Sequence, residues 1–128
     1  MAEILALDDV KDATELVGKI LSKKGHKVHC FTEEQKAIDY AKENTVDLAI
    51  LDIKLETMSG VEVLEALKEI QPAMKAIMLT GYPTVETARE AINLGAEEYC
   101  VKPIDRSELE NKVEKVLKAR GKKSAMSV

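Results

Sequence analysis

Five short apolar runs, each followed by polar residues and a stretch of helical periodicity, constrain the fold of this 128-residue chain more than any other feature. The runs are Ile4-Leu5-Ala6-Leu7, Val28-His29-Cys30-Phe31, Leu48-Ala49-Ile50-Leu51, Ala76-Ile77-Met78-Leu79 and Glu98-Tyr99-Cys100-Val101. Runs of this length and branching are typical of strands. Because strand and helix alternate five times, the pattern predicts one α/β domain with a parallel sheet and helices on both faces.

The stretches between and after these runs predict amphipathic helices. The second helix is predicted to begin after a capping Thr32. The fourth helix is predicted to begin after Pro83, and its apolar face is predicted to contain Val85, Ala88 and Ile92, with Ala91 beside them. The last begins near Asp105. We expect one domain over residues 1–120 and a basic, flexible tail over residues 121–128.

Composition and charge exclude several classes of function. No run approaches the roughly 20 apolar residues that span a bilayer, and no signal-peptide pattern opens the chain, so a cytoplasmic protein without membrane contact is expected. The formal net charge of −4 gives no general reason for nucleic-acid binding. Cys30 and Cys100 lie in predicted strands without a CxxC pattern or a Cys/His cluster, which favours buried, reduced thiols.

Chemistry-bearing residues follow four of the five predicted strands: Asp8 and Asp9, then Asp52, Thr80 and Lys102. The carboxyl ends of parallel strands share one edge of a sheet, so these side chains should converge there. Three neighbouring carboxylates repel one another and attract a hard cation such as Mg²⁺. A hydroxyl and an ammonium group add donors suited to phosphoryl oxygens, so the set favours a carboxylate nucleophile acting on phosphorus.

Taken together, Asp8-Asp9, Asp52, Thr80-Gly81 and Lys102-Pro103 resemble the motifs of the receiver domain of two-component response regulators (CheY-like), over Ile4 to about Leu117. Gly60 falls where that family has a loop glycine, eight residues past its phosphorylated aspartate. The resemblance implies a flavodoxin-like, doubly wound five-stranded parallel sheet in the order 2-1-3-4-5, with five helices in two layers.

The same resemblance implies the roles of the acidic residues. Asp52 would accept a phosphoryl group from the phosphohistidine of a sensor histidine kinase or a phosphotransfer protein. Asp9 would bind Mg²⁺ directly and Asp8 mainly through a metal-bound water. Asp52 and the backbone carbonyl of Lys54 would complete the protein ligands.

The remaining implied roles concern phosphoryl binding and switching. Thr80 and Lys102 would bind the phosphoryl oxygens, and the Lys102–Pro103 peptide is predicted to be cis. Tyr99 would turn inward when Thr80 moves, which would change the surface of the fourth helix, fifth strand and fifth helix. A downstream protein, an output domain outside this sequence or a second copy of the chain could read that surface.

The loop after Asp52 departs from the family pattern. Glu56 stands where a proline is frequent and Ser59 where an acidic residue is frequent, which predicts a more mobile or more acidic loop. Lys54 and Tyr82 are expected to flank the entrance to the phosphoryl group. Because both side chains are large, we expect them to obstruct an attacking water and to prolong the phosphorylated state.

Several alternatives remain open from the residues. Asp8 and Asp9 could merely cap the first helix, Thr80 could be a turn residue, and Tyr99 could be an amphipathic edge-strand residue. A haloacid-dehalogenase-type phosphatase also uses an aspartate after a strand, but it needs a second aspartate where Lys54 stands. A small flavodoxin and a degenerate receiver used as a scaffold are further alternatives. The sequence does not separate a stand-alone receiver from a fragment of a longer regulator.

Overall fold

The computed structural model describes residues 2–53, 55 and 58–126, with side chains described up to Ala119. Five strands and five helices alternate in this part of the chain. Their bounds are β1 Glu3–Leu7, α1 Lys11–Ser22, β2 Lys27–Phe31, α2 Glu34–Glu43, β3 Leu48–Leu51, α3 Gly60–Ile70, β4 Lys75–Thr80, α4 Val85–Asn93, β5 Glu98–Val101 and α5 Arg106–Met126. All strand pairs are parallel and the order is β2-β1-β3-β4-β5, which confirms the predicted fold class.

The strand register brings the carboxyl ends of the strands to one edge. Leu7 of β1 lies opposite both Phe31 of β2 and Leu51 of β3. On the other half of the sheet, Thr80 of β4 lies opposite Val101 of β5. The order in which strands are added changes direction between β1 and β3, because β2 lies on one side of β1 and β3 on the other. Open α/β sheets bind their ligands at such a point.

The core has two layers, one on each face of the sheet. Because successive strand residues point to opposite faces, Leu5 and Leu7 pack in the layer with α2 and α3, whereas Ile4 and Ala6 pack in the layer with α1 and α5. Every residue of the central strand β3 is buried. Such burial on both faces explains its uninterrupted apolar run.

Helix α4 packs on a different face from the predicted one. Val85 is 74% exposed and Ile92 is 64% exposed, whereas Ala91 is fully buried. At 3.6 residues per turn, Ala91 lies about 120° around the helix from Val85 and about 100° from Ile92. The helix packs through Ala91, which the prediction placed beside the apolar face, whereas the prediction that Val85 and Ile92 lie on the packed face was wrong.

Two helix ends also differ from expectation. The N-cap of α2 is Glu33 rather than Thr32, and its side chain makes no capping hydrogen bond. Helix α5 continues to Met126, six residues past the expected end of the domain, because this stretch contains no proline and is rich in helix-forming residues. The flexibility of residues 121–128 stays a prediction.

The cysteine prediction holds for one residue and fails for the other. Cys100 is buried, but Cys30 is exposed because β2 is an edge strand. The Cys30 thiol still donates a hydrogen bond to the Thr14 carbonyl, at 3.2 Å from sulfur to oxygen. Among the described residues no helix combines the length and apolar character needed to cross a membrane.

Candidate functional site

Asp8 and Asp52 come together because β1 and β3 are neighbours in register. The amide of Asp52 donates to the Leu7 carbonyl at 3.0 Å, so the two aspartates leave the sheet side by side. Both are almost fully buried. The Asp8 carboxylate accepts from the Val10 amide at 2.9 Å, which shapes the turn into α1.

Asp9 completes an acidic cluster at this edge. One carboxylate oxygen from each of Asp8, Asp9 and Asp52 lies within 4.8 Å of the others. Partial desolvation raises the pKa of the exposed Asp9 carboxyl, and a hydrogen bond with Asp8 and the charges of Asp8 and Asp52 raise it further. Three crowded oxygen ligands fit a hard divalent cation such as Mg²⁺. The N-cap position of α1 is occupied by Val10, so the aspartates are not explained by capping alone.

Lys102 reaches from the end of β5 across β4 to the aspartates. Its ammonium nitrogen lies 3.1 Å from Asp52 Oδ2 and also donates a hydrogen bond to Asp8 Oδ2. Burial by itself lowers the pKa of Lys102, but the hydrogen bonds and charges of the two aspartates raise it above its ordinary value. The Lys102–Pro103 peptide bond is cis, as predicted.

Thr80 is the last residue of β4 and is completely buried. Its carbonyl accepts from the Lys102 amide at 2.7 Å, which holds the ends of β4 and β5 together. Its hydroxyl oxygen accepts from the Tyr82 amide at 3.0 Å, so the described bond of this side chain is to the loop before α4 rather than to Asp52. A hydroxyl that accepts one bond still carries a proton to donate.

Comparison with known proteins decides the family. The family model for the response regulator receiver domain matches residues 4–114. The chain is a response regulator receiver domain. Receivers of this family are phosphoacceptor switches of two-component signalling, and the acidic cluster of this chain is consistent with a phosphorylation site.

Individual relatives agree with this assignment. Sporulation initiation phosphotransferase F of Bacillus subtilis is 30% identical over 115 residues, which cover 90% of this chain and 93% of that protein. A CheY-like receiver domain from Methanospirillum hungatei has a TM-score of 0.92 at 31% identity, covering 96% of this chain and 98% of that chain. The transcriptional regulatory protein ZraR of Escherichia coli is 31% identical over 90% of this chain, but this chain spans only 26% of that relative.

In this receiver, the predicted switch residue Tyr99 is held by the first turn of α4. Its hydroxyl lies 2.9 Å from the Thr87 hydroxyl oxygen and 3.4 Å from the Thr84 amide nitrogen. Thr84 is the N-cap of α4 and accepts from the Thr87 amide at 3.0 Å. The sequence analysis did not identify the roles of Thr84 and Thr87, although a threonine directly after Pro83 and a second one three residues later are a usable signal for an N-cap.

An apolar cavity of about 400 Å³ borders the receiver's acidic cluster and Lys102, and the sequence did not predict it. Leu16 and Val17 of α1 and Ile104, which follows β5, are among its apolar lining residues. Lys54, for which a backbone metal contact and a shielding role were predicted, lies outside the described residues, and so does Glu56.

Proposed function

We propose that Asp52 is the residue at which this receiver domain is phosphorylated. The observation that carries the proposal is the contact of the Asp52 carboxylate with the Lys102 ammonium group, 3.1 Å apart, inside the acidic cluster. A nucleophilic carboxylate held beside a cation suits phosphoryl transfer, because the cation neutralises charge on the phosphoryl oxygens. The phosphoryl donor would be the phosphohistidine of a sensor kinase or a phosphotransfer protein.

The proposed step is a single in-line displacement. An Asp52 carboxylate oxygen attacks the phosphorus and the P–N bond to the donor imidazole breaks. The imidazole carries a proton from solvent on its other ring nitrogen and therefore leaves as the neutral ring. The product is a mixed anhydride on Asp52. Lys102 binds a phosphoryl oxygen in place of its present Asp52 contact, and the Thr80 hydroxyl donates its proton to another.

Mg²⁺ is the proposed metal, held by Asp8, Asp9, Asp52 and the Lys54 carbonyl. Three carboxylates against one ammonium group leave an excess of negative charge even before a phosphoryl group arrives. When bound, the metal supplies charge neutralisation at the transferring oxygens. The carboxylates then act only as ligands and, in the case of Asp52, as the nucleophile.

We further propose that Thr80 and Tyr99 transmit the phosphorylated state. When the Thr80 hydroxyl turns from the Tyr82 amide toward the phosphoryl group, Tyr99 leaves Thr87 and turns toward the space that Thr80 vacated. The Tyr82 contact lies in the loop before α4 and the Thr87 contact in its first turn, so the change reaches the surface on which Val85 and Ile92 are exposed. A two-state element of this kind needs only a few kcal/mol of differential stabilisation.

The proposed partners follow from this surface. An output domain, a separate target protein or a second copy of the chain would read it through its apolar residues, without direct contact of this domain with nucleic acid. The protein assists its own phosphorylation and dephosphorylation and is not a turnover enzyme. A cytoplasmic location stays a prediction.

Intact-mass spectrometry after incubation with Mg²⁺ and acetyl phosphate tests the proposed acceptor. We expect one added phosphoryl group that survives acid and is lost in base, as acyl phosphates are. Asp52→Asn should abolish the adduct, whereas Asp39→Asn, which changes an exposed aspartate of α2, should leave it intact. Adduct formation in Asp52→Asn contradicts the proposal, and steady phosphate release from many esters favours a phosphatase instead.

A further inference from the structure

Glu34, the first residue of α2, is a buried carboxylate that the proposed chemistry does not use. Its side chain is almost inaccessible, with 6% of the residue exposed. Its Oε2 accepts a hydrogen bond from the backbone amide of Met58, at 3.2 Å, across a separation of 24 residues. Burying a carboxylate is costly unless it is hydrogen-bonded, so this contact couples the position of α2 to the loop after Asp52.

Met58 lies close to the point where that loop returns to the phosphoacceptor strand. Two residues later, the Gly60 amide donates to the Ile53 carbonyl at 2.7 Å. Gly60 also lies against the backbone of Asp52, where a β-carbon would come within 1.9 Å of the Asp52 carbonyl oxygen. A displacement of Met58 therefore moves the residue that packs directly on the Asp52 backbone.

The segment that carries Glu34 also contacts the other acidic loop. Three residues before Glu34, the Phe31 carbonyl accepts from the Asp8 amide at 3.2 Å. The stretch from Phe31 to Glu34 thus contacts two loops. The Phe31 backbone contacts the acidic loop after β1, and the Glu34 side chain contacts the loop after β3. This connection between β2 and α2 therefore contacts both loops.

We propose that Glu34 is a positioning residue for phosphoryl transfer. Its carboxylate holds Met58, and through Gly60 it holds the Asp52 backbone, at the distance from Asp8 that the reaction requires. Glu34 touches no reacting atom and acts only through the loop. The proposal rests on the proposed role of Asp52 as acceptor.

A structural role of Glu34 at the start of a helix predicts different behaviour. A carboxylate in the first turn stabilises a helix through its dipole, and any acidic side chain supplies that effect. The hydrogen bond to the Met58 amide, in contrast, requires a side chain as long as that of glutamate. Aspartate keeps the charge but is one methylene shorter, whereas glutamine keeps the length and an acceptor oxygen but loses the charge.

The test compares Glu34→Asp with Glu34→Gln in the full chain. Initial rates of phosphorylation by acetyl phosphate at saturating Mg²⁺ are followed by intact mass, and exchange of the Met58 amide proton is followed by NMR. We expect Glu34→Asp to be slower by roughly tenfold with faster Met58 exchange, since small losses of alignment are costly. Glu34→Gln should stay within about threefold of wild type in both measurements, because a neutral acceptor keeps most of a hydrogen bond.

Matched controls come from the neighbouring residue. Glu33 is exposed and pairs with Lys36, so Glu33→Asp and Glu33→Gln make the same chemical changes without touching the loop and should match wild type. Wild-type rates in Glu34→Asp, or equal losses in Glu34→Asp and Glu34→Gln, overturn the positioning role. So does a slow Glu34→Asp with unchanged Met58 exchange. An adduct that persists in Asp52→Asn overturns the assigned acceptor instead, whereas a wild-type protein that forms no adduct overturns both proposals.

Discussion

Gly60 packs so closely on Asp52 that a β-carbon at position 60 would lie 1.9 Å from the Asp52 carbonyl oxygen. The obstructing atoms belong to the backbone of Asp52 and Ile53, so no side-chain rotation relieves the overlap. The first residue of α3 therefore fixes the end of the strand that carries the proposed acceptor. Glycine is required here for close approach and not for an unusual backbone angle.

Gly60→Ala should lower the free energy of unfolding by about 2–3 kcal/mol or more, because the backbone must shift to admit the methyl group. Urea denaturation followed by circular dichroism measures the change. Gly81→Ala is the control, since its β-carbon would meet nothing nearer than the Lys102 β-carbon at 4.0 Å. Equal denaturation midpoints for Gly60→Ala and wild type would contradict the close contact.

Mg²⁺ should stabilise the folded chain, because it binds the acidic cluster of the native state and not the unfolded chain. At a concentration of 100 times the dissociation constant the expected gain is about 2.7 kcal/mol. Thermal unfolding with and without Mg²⁺ measures it. Asp9→Asn should remove most of the gain, whereas Asp12→Asn, three residues further on in α1, should keep it. A gain that survives in Asp9→Asn places the metal elsewhere.

Tyr82→Ala should shorten the life of the phosphorylated state. Tyr82 is largely exposed two residues after Thr80, where its ring can cover the phosphoryl group against water. Removing the ring should speed hydrolysis by roughly threefold to tenfold, as expected for easier entry of water. Loss of the adduct after removal of excess donor gives the rate, and Val85→Ala is the control for an exposed apolar residue nearby. An unchanged or slower rate in Tyr82→Ala refutes the shielding role.

Thr87→Val should release Tyr99 from α4. The substitution keeps the shape of the side chain but removes the hydroxyl 2.9 Å from the Tyr99 hydroxyl. A lost hydrogen bond of about 1 kcal/mol shifts a two-state equilibrium roughly fivefold, so the inward ring should become more populated without phosphorylation. NMR of labelled tyrosine measures the population, with the exposed Thr45→Val as control. An identical Tyr99 spectrum in Thr87→Val would show that this contact does not restrain the ring.

His26 should make the protein less stable in weak acid. Its Nδ1 accepts from the Ala2 amide at 3.1 Å, and burial lowers its pKa, with the nearby Lys24 charge acting in the same direction and Glu114 opposing. Because the folded-state pKa lies below the unfolded value of about 6.5, the stability contribution is present above that pH and is lost as the pH falls below it. Denaturation midpoints between pH 7.5 and about pH 5 should therefore fall more steeply for wild type than for His26→Gln. Parallel profiles would exclude this role.

That the predicted site residues meet at one edge could be expected from sequence, because parallel strands send their carboxyl ends there. Asp8, Asp52 and Lys102 are far apart along the chain, yet each directly follows an apolar run, and the structure joins all three by hydrogen bonds. Thr80 lies at the same edge but bonds to the Tyr82 amide. That detail depends on the loop conformation, which strand periodicity does not describe.

The sequence pattern did not reveal how a helix packs against elements that are distant from it in the chain. Glu34 looks like a favourable residue in the first turn of a helix, and its burial against Met58 depends on how α2 leans on the loop after β3. The apolar residues of helix α4 cover one broad arc of its surface, and only its packing against the neighbouring elements selects Ala91 over Val85 and Ile92.

By itself the sequence determined the order of strands and helices and the edge at which the acidic, hydroxyl and ammonium groups meet, because local periodicity and parallel pairing suffice for both. Tertiary structure alone decided which face of α4 is buried, which threonine holds Tyr99, and how Gly60 and Glu34 fix the loop at Asp52. These depend on distances of a few ångströms between segments remote in the chain. Close packing sets such distances, and no local pattern of residues encodes them.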